Sequence, residues 1–301
     1  MRLATIPLAP ALGRYVPLRG PARILGQSYR KIGCEPGKSV KKSTNKFGDK
    51  FEVDLSSFLE WHLWAFGAYE GYIAELFEYL VRPGDNCIDV GANVGIHAIR
   101  LAKLVGARGR VIAIEADAEL ARRTSKNIGL NSLKNIELVE AASSERSGES
   151  VVLHRPGDSD KRKLSGSVIP HAILTGRSVT VPTVAIDDII NAPVSLIKID
   201  VEGYEMPVIR GASRVIREHS PSIVFEHAPY LLDDAFISPF EHLKDCGYAL
   251  FEVRAIRNYV TGRARLDLRA LHELPDTYTN ILAISQSMMP RITSFLSQSA
   301  R

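Results

Sequence analysis

The chain has 301 residues, of which 45% are hydrophobic and 24% charged, as in an ordinary soluble globular protein with room for one α/β domain and extensions. No apolar run approaches the length of about 18 residues that a membrane-spanning helix needs, and we expect no secretory signal peptide. Cys34, Cys87 and Cys246 are isolated, without a CxxC pair or histidines at metal spacing, which favours a reducing, cytoplasmic location.

Charge is unevenly distributed along the chain. Residues 1–50 contain 11 Lys and Arg against two acids, whereas the remainder contains 27 basic and 32 acidic side chains. We therefore predict a basic, solvated N-terminal extension over 1–50, with contact to anionic lipid or nucleic acid as the alternative. A folded domain is predicted over 51–285, with a lead-in at 51–82 and a core at 83–285, followed by a tail at 286–301.

The lead-in is predicted to form a strand at 51–55, in a hairpin with the preceding residues, and a helix over 56–80 that ends before the turn Pro83-Gly84-Asp85. Beyond it, short apolar runs alternate with helical periodicity. Strands are predicted at 86–90, 110–115, 136–141, 195–200, 222–226, 248–253 and 280–285. Helices are predicted near 95–105, 118–130, 204–218 and 238–246.

This alternation of strands and helices indicates βαβ units and a mostly parallel sheet. The last two predicted strands have no predicted helix between them, so we expect an antiparallel strand at the end of the sheet. Residues 154–178 interrupt the pattern with a polar segment that contains two prolines and three glycines. Long loops within a compact domain are usually functional or disordered, and we interpret this one as a lid or acceptor-binding loop.

A Gly-rich turn joins the first core strand to the first core helix. Its sequence is Asp89-Val90-Gly91-Ala92-Asn93-Val94-Gly95, in which Gly91 and Gly95 let the backbone approach a ligand closely. The turn also aims free N–H groups at whatever is bound there. A dinucleotide-binding GxGxxG would place a third glycine three residues after the second, and this chain has none there. The spacing therefore favours a nucleoside that carries an amino acid over a pyrophosphate.

Two further features lie at the ends of the next strands. Glu115 ends the second core strand, about 20 residues after the turn, where an acid can accept both ribose hydroxyls. Its alternative role is to cap the following helix. Ala142 and Ser143 follow the third core strand, where small side chains leave room for an adenine ring and a polar group can reach its amino group. Ordinary loop chemistry is the alternative for this pair.

Seven blocks occur together and in order: IDVGANVGIHAIRLA, VIAIEAD, NIGLN, IELVEAA, VPTVAIDDII, LIKIDVEGYEMPVIRGA and PSIVFEH. The chain resembles the FkbM-type methyltransferase family from about Gly67 to Ser285, most specifically in LIKIDVEGYE. The resemblance implies an α/β, class I methyltransferase Rossmann-like fold with a seven-stranded, mostly parallel sheet and helices on both faces. It also implies the cofactor S-adenosylmethionine, and most members O-methylate sugars or natural products.

By the resemblance, the cofactor-binding positions are Asp89, Gly91, Asn93, Gly95 and Glu115. The pair Tyr69-Glu70 matches a Tyr-Glu pair that commonly precedes the first core strand, so Glu70 is expected to face the cofactor or the acceptor. One departure is Ala116-Asp117, where the family typically has proline, and residues 1–50 match no block of the family.

The candidate catalytic residues follow the fourth and fifth core strands. In LIKID, strand alternation places Lys198 and Asp200 on one face, and Asp200 is the first candidate for proton acceptor or hydroxyl anchor. Glu226 and His227 supply a second acid and an imidazole suited to general base catalysis. Alternatively, Lys198 only neutralises Asp200. A Mg²⁺ ion held by Asp200 and Glu226 is a further alternative that we do not favour.

Three functional hypotheses follow. The leading one is O-methylation of a saccharide or glycosylated metabolite, and the second is a non-catalytic S-adenosylmethionine-binding scaffold. Nucleic-acid methylation is disfavoured, because the fourth strand has IKID rather than an NPPY-like or Pro-Cys element that handles an extruded base. We expect a small-molecule or saccharide acceptor and no stable nucleic-acid partner, and a homo-oligomer is left open. His97 and His154 are assigned structural roles.

Overall fold

The computed structural model describes residues 40–155, 168, 177–229, 238–257 and 264–299. In chain order its strands are β1 (Val40–Thr44), β2 (Lys50–Asp54), β3 (Asn86–Val90), β4 (Arg110–Glu115), β5 (Ile136–Glu140), β6 (Ala142–Ser143), β7 (Ser150–His154), β8 (Ser178–Val184), β9 (Leu196–Ile199), β10 (Ser222–His227), β11 (Ala249–Arg257), β12 (Ala264–Leu271) and β13 (Thr279–Ile284). Its helices are α1 (Phe58–Phe66), α2 (Gly71–Leu80), α3 (Ile96–Val105), α4 (Ala118–Leu130), α5 (Ile186–Ile189), α6 (Glu205–Arg210), α7 (Ser213–His219), α8 (Pro239–Asp245) and α9 (Pro290–Ser299).

The main sheet has the strand order β12-β11-β13-β10-β9-β3-β4-β5. In this order the five strands β10, β9, β3, β4 and β5 pair in parallel with their neighbours. Strand β13 pairs antiparallel with both β10 and β11. The expected antiparallel strand is therefore confirmed. Because parallel strands end at one edge of a sheet, the residues that follow β3, β4, β9 and β10 converge there, which is where open α/β sheets bind their ligands.

The predicted count of seven strands is wrong, because β12 adds an eighth at the edge of the sheet. Its sequence ARLDLRAL largely alternates apolar and charged residues; Leu266 and Leu268 are buried, and Leu271 at its end is partly buried. An edge strand with one buried face needs few apolar residues, so it lacks the continuous apolar run that marks the other strands.

Helices cover both faces of the sheet, as predicted. One face packs against residues of α2, α3 and α9, including Phe77, Leu101 and Ile292. The other packs against α5 to α8, including Ile209 and Phe240. This architecture is the class I methyltransferase Rossmann-like fold.

Two predicted helices are each divided in the structure. The helix predicted over 56–80 ends as α1 at Gly67, a left-handed C-cap with φ of 72°, and α2 begins after Glu70, which has φ of 44°. The helix predicted over 204–218 divides near Gly211, where a side chain would collide with the Ser144 carbonyl 2.0 Å away. Close backbone contact explains this glycine, which periodicity alone does not reveal.

The segments predicted as extension and tail contribute ordered structure. The β1–β2 hairpin begins at Val40, and Phe51 and Val53 of β2 are buried against α1 and the start of α3. At the other end of the chain, Ile292 and Phe295 of α9 are buried. The loop predicted over 154–178 falls almost wholly outside the described residues. The two strands that flank it, β7 and β8, are described and pair with each other. Among the described helices, none combines the length and apolarity that a bilayer crossing requires.

Candidate active site

The Gly-rich turn between β3 and α3 uses left-handed backbone at three positions, with φ of 76° at Gly91, 53° at Asn93 and 87° at Gly95. The amides of Gly91 and Ala92 donate to the Ile114 carbonyl at 2.9 and 3.1 Å, which fixes the start of the turn against β4. A side chain at Gly91 would sit 1.8 Å from the Asp200 carbonyl oxygen. The glycine therefore lets the turn and the end of β9 pack together.

Glu115, at the end of β4, holds the turn in place. Its carboxylate accepts hydrogen bonds from the amides of Asn93 at 2.7 Å and Asp117 at 2.9 Å. Burial raises the pKa of Glu115 to about 7. This carboxylate therefore contacts the turn that carries the other predicted cofactor residues.

Asp89 lies directly beneath the turn and is fully buried. In the described part of the chain neither of its carboxylate oxygens accepts a hydrogen bond of ordinary geometry, although the nearby Ala98 amide favours the charged form. Burial raises the pKa of Asp89, while the nearby Lys198 and His97 act in the opposite direction. A buried acid with unused oxygens is costly unless a ligand completes it.

Lys198 lies between Asp89, beneath the Gly-rich turn, and Asp200, which follows β9. It is 2% exposed, and its Nζ lies 2.8 Å from Asp200 Oδ2. Burial would lower the pKa of Lys198, but Asp200, Asp89 and Glu70 together raise it above its ordinary value. The ammonium is thus a buried charge among three acids, and it forms an ion pair with Asp200.

Glu70 is held by side chains from α3 and β13. Its Oε2 lies 3.3 Å from His97 Nε2, and its Oε1 accepts from Asn280 Nδ2 at 3.2 Å. Burial would raise the pKa of Glu70, but His97, Lys198 and Asn280 outweigh it and lower the pKa. His97, assigned a structural role from the sequence, therefore contacts a predicted site residue directly.

Three carboxylates meet where β9 and β10 end. Oxygen atoms of Asp200, Glu202 and Glu226 lie within 4.8 Å of one another. Burial raises the pKa of Glu226 well above its ordinary value, and repulsion from Asp200 and Glu202 adds to this. The Tyr278 hydroxyl donates to Glu226 Oε1 and opposes the shift. This group can accept a proton, bind acceptor hydroxyls or ligate a hard cation.

His227 is not brought into this cluster. It follows Glu226 on β10, so its side chain points to the opposite face of the sheet. Its ring Nε2 lies 2.8 Å from the Pro275 carbonyl, to which it donates. Burial lowers the pKa of His227, which favours the neutral ring. The base role predicted for it therefore has less geometric support than that of Asp200 or Glu226.

Ala142 and Ser143 form the short strand β6 and are 4% exposed. Within the described structure the Ser143 hydroxyl has no hydrogen-bond partner, whereas the neighbouring Ser144 hydroxyl lies 3.0 Å from the Tyr204 hydroxyl. An unused buried hydroxyl beside two small side chains fits the predicted contact with a base.

Several site residues are absent from the predicted set. Tyr278 lies in a polar turn and shows no local signal. Asn280 does have a local signal in the sequence, because it is an amide near the start of the otherwise apolar strand TNILAI. Glu205, which accepts from the Gly203 amide at 3.0 Å and closes the turn after β9, lies within LIKIDVEGYE but has no separate role assigned.

A family model described as the methyltransferase FkbM domain matches residues 89–250, more than half of the chain. The chain belongs to this family. The resemblance stated from the sequence blocks is therefore confirmed, and the matched segment contains the Gly-rich turn and both acid-bearing strand ends.

Curated relatives match over shorter segments. One is a probable cobalt-precorrin-6B C(15)-methyltransferase (decarboxylating) of Sulfolobus acidocaldarius, 34% identical over 62 residues, or 21% of this chain and 32% of that protein. Another is a protein-L-isoaspartate O-methyltransferase of Archaeoglobus fulgidus, 37% identical over 59 residues, or 20% of this chain and 27% of that protein. The match thus spans about a third or less of either relative.

Solved structures with a similar fold include an FkbM methyltransferase from Methylobacillus flagellatus, 15% identical with a TM-score of 0.43, covering 87% of this chain and 58% of that one. A precorrin-6y C5,15-methyltransferase from Geobacter metallireducens is 16% identical with a TM-score of 0.43, covering 72% and 89%.

The cofactor that the family implies is S-adenosylmethionine, and the residues present fit it. The unused oxygens of Asp89 match its amino group in charge, and Glu115 can accept from a ribose diol. The unused Ser143 hydroxyl lies at the strand end where a base is expected.

Proposed function

We propose that this protein is an S-adenosylmethionine-dependent O-methyltransferase whose acceptor is a hydroxyl of a saccharide or glycosylated metabolite. The observation that carries the proposal is the position of the acid cluster Asp200, Glu202 and Glu226 directly beside the cofactor turn, where the Asp200 carbonyl contacts Gly91. The family membership supports methyl transfer, and the acid cluster supports an acceptor that loses a proton.

Bound S-adenosylmethionine supplies a methyl carbon on a sulfonium that departs readily as a neutral thioether. Asp200 would take the proton that the acceptor hydroxyl loses when its oxygen receives that methyl group. Lys198 donates to Oδ2 of Asp200 at 2.8 Å, and this contact orients the whole carboxylate. Oδ1 is then the oxygen that meets the acceptor hydroxyl. The side chain is 29% exposed, so an acceptor can reach it.

The same cluster supports a polyhydroxyl acceptor. Glu202 and Glu226 offer carboxylate oxygens, and Tyr278, which is 44% exposed, offers a phenol at the rim. Several acceptors and donors within a few ångströms suit vicinal hydroxyls better than a single isolated alcohol. A divalent cation held by Asp200 and Glu226 remains the alternative means of activating the hydroxyl.

The described cysteines, Cys87 and Cys246, are free thiols, and this supports the cytoplasm as the proposed location.

Two measurements test the proposal. Calorimetry with S-adenosylmethionine and S-adenosylhomocysteine should give saturable binding to the purified chain, and no binding would contradict it. Transfer of a labelled methyl group into a cell extract, followed by mass spectrometry, should then give an O-methylated product.

Matched variants separate an enzyme from a scaffold. Asp200→Asn should retain cofactor binding and lose at least about a hundredfold of methyl transfer, as expected for loss of a proton acceptor. Asp245→Asn, an exposed acid at the end of α8, is the control and should behave as the wild type. Undiminished transfer by Asp200→Asn would remove Asp200 from the mechanism. Transfer that persists in EDTA would argue against the cation.

A further inference from the structure

The block NIGLN begins at Asn127 and ends at Asn131, the residue after α4. The proposed function assigns none of its residues to the cofactor or the acceptor. Asn127 is 1% exposed and Thr124, one turn earlier, is fully buried. Residues three and four apart lie on the same side of a helix, so these three polar side chains form one row along α4. A buried polar row of this kind is retained only where every group is hydrogen-bonded.

Two members of the row bind the Gly-rich turn. The Thr124 hydroxyl donates to the Asn93 carbonyl, and Asn127 Nδ2 donates to the Val94 carbonyl at 2.8 Å. Consecutive carbonyls of the turn are thus both held by α4. Because a trans peptide is planar, fixing the Asn93 carbonyl toward α4 directs the Val94 N–H away from it.

The same contacts stabilise an unfavourable backbone. Asn93 has φ of 53°, in the left-handed region that L-residues other than Asn and Asp rarely adopt. The Thr124 methyl would also lie 3.1 Å from a side chain at Gly95, so the helix packs closely against the whole turn. On its other side, the Asn93 amide donates to Glu115. Glu115 therefore holds the turn at the Asn93 amide, and α4 holds it at the Asn93 and Val94 carbonyls.

Asn127 also reaches the N-terminal hairpin. Its Oδ1 accepts from the Glu52 amide at 2.8 Å, so one side chain bridges β2 and the Gly-rich turn. Asn131 also binds β2, accepting from the Lys50 amide at 2.9 Å and donating to the Lys50 carbonyl at 2.7 Å, and it donates to the Asn127 carbonyl within α4 at 2.8 Å. The two asparagines share a partner strand but only Asn127 touches the turn.

We propose that Thr124 and Asn127 are positioning residues for the cofactor: they hold the Asn93 and Val94 carbonyls, and with them the backbone shape of the Gly-rich turn that receives S-adenosylmethionine. This inference rests on the proposed function, because it assumes that the turn binds that cofactor. Neither side chain need touch the cofactor, since both act through the backbone of residues 93–95.

The test compares four variants with the wild type by calorimetry with S-adenosylmethionine, with thermal unfolding measured in parallel. Thr124→Val keeps the shape and removes the donor, and it should raise Kd roughly tenfold, the scale of one lost hydrogen bond. Thr124→Ser keeps the donor and should stay within about twofold of wild type. Asn127→Ala should weaken binding more than Thr124→Val. Asn131→Ala should lower the unfolding temperature but leave Kd within about twofold.

The outcomes are distinct. Wild-type affinity in Thr124→Val would overturn the inference while leaving the proposed function intact. Equal weakening by Asn131→Ala and Thr124→Val would also overturn it, because attachment of the hairpin would then be the cause. Absence of binding by the wild type would overturn the proposed function and this inference together. If Asn127→Ala fails to fold, the two Thr124 variants still decide.

Discussion

The backbone carbonyl of Asp200 packs against Gly91 so closely that a side-chain carbon at Gly91 would lie 1.8 Å from its oxygen. The Asp200 amide also donates to the Val90 carbonyl at 3.0 Å. The cofactor turn and the acceptor acid are therefore joined through backbone, so their separation is fixed by the pairing of β3 with β9 and does not depend on flexible side chains.

Gly91→Ala should remove cofactor binding and lower the free energy of unfolding by more than about 2 kcal/mol, because it combines left-handed strain with the collision at Asp200. Gly148→Ala is the matched control. It has φ of 79°, close to the 76° of Gly91, but no atom within 4 Å of the added carbon. Urea unfolding should show only about 1 kcal/mol for this control. Equal losses in the two variants would show that the collision is relieved.

Cofactor affinity should depend on pH through Glu115. Burial raises the pKa of this carboxyl from 4.5 to about 7, and in the proposed complex the ribose hydroxyls would donate to its charged form. Binding should therefore strengthen as pH rises from 6 to 8 and level off above, with affinity at pH 6 about tenfold below the plateau. Calorimetry across this range in buffers of equal ionic strength measures the effect. In Glu115→Gln the affinity should be weaker and nearly independent of pH, and an unchanged pH dependence would assign it to another group.

Lys198→Met should destabilise the protein by about 3 kcal/mol at pH 7.5, since it leaves Asp89, Asp200 and Glu70 without their buried cation. The loss should shrink at lower pH, because burial already raises the pKa of Asp89 and its protonation removes the repulsion. Lys46→Met, which removes an exposed pair with Glu75, should change stability by less than about 1 kcal/mol. A pH-independent loss in Lys198→Met would point to packing instead of charge.

Tyr278→Phe should move the pH dependence of methyl transfer. The Tyr278 hydroxyl donates to Glu226 and lowers a pKa that burial, Asp200 and Glu202 raise. Without the donor the pKa of Glu226 rises further, so the charged form appears only at higher pH. The pH–rate profile, measured with the acceptor found by labelled transfer, should shift to higher pH. An unmoved profile with reduced affinity for the acceptor would instead assign Tyr278 to acceptor binding.

The sequence alone determined the order of βαβ units, the Gly-rich turn, Glu115 and the acid of LIKID. These features are local: a glycine spacing, a strand period and a carboxylate at a strand end each leave a pattern within a few residues, and parallel pairing then brings the strand ends together. The family blocks occupy the same segments, which is why the resemblance and the site coincide.

Tertiary structure decided the rest, because those contacts join residues far apart in the chain. Asn280 meets Glu70 across 210 positions, and Tyr278 meets Glu226 across 52. Alternation of side chains along β10 turns His227 away from the acids that Glu226 joins, and its ring meets the Pro275 carbonyl 48 positions away. Adjacent side chains on a strand point to opposite faces of the sheet. His227 is therefore next to Glu226 in the sequence, but its side chain lies away from the acid cluster.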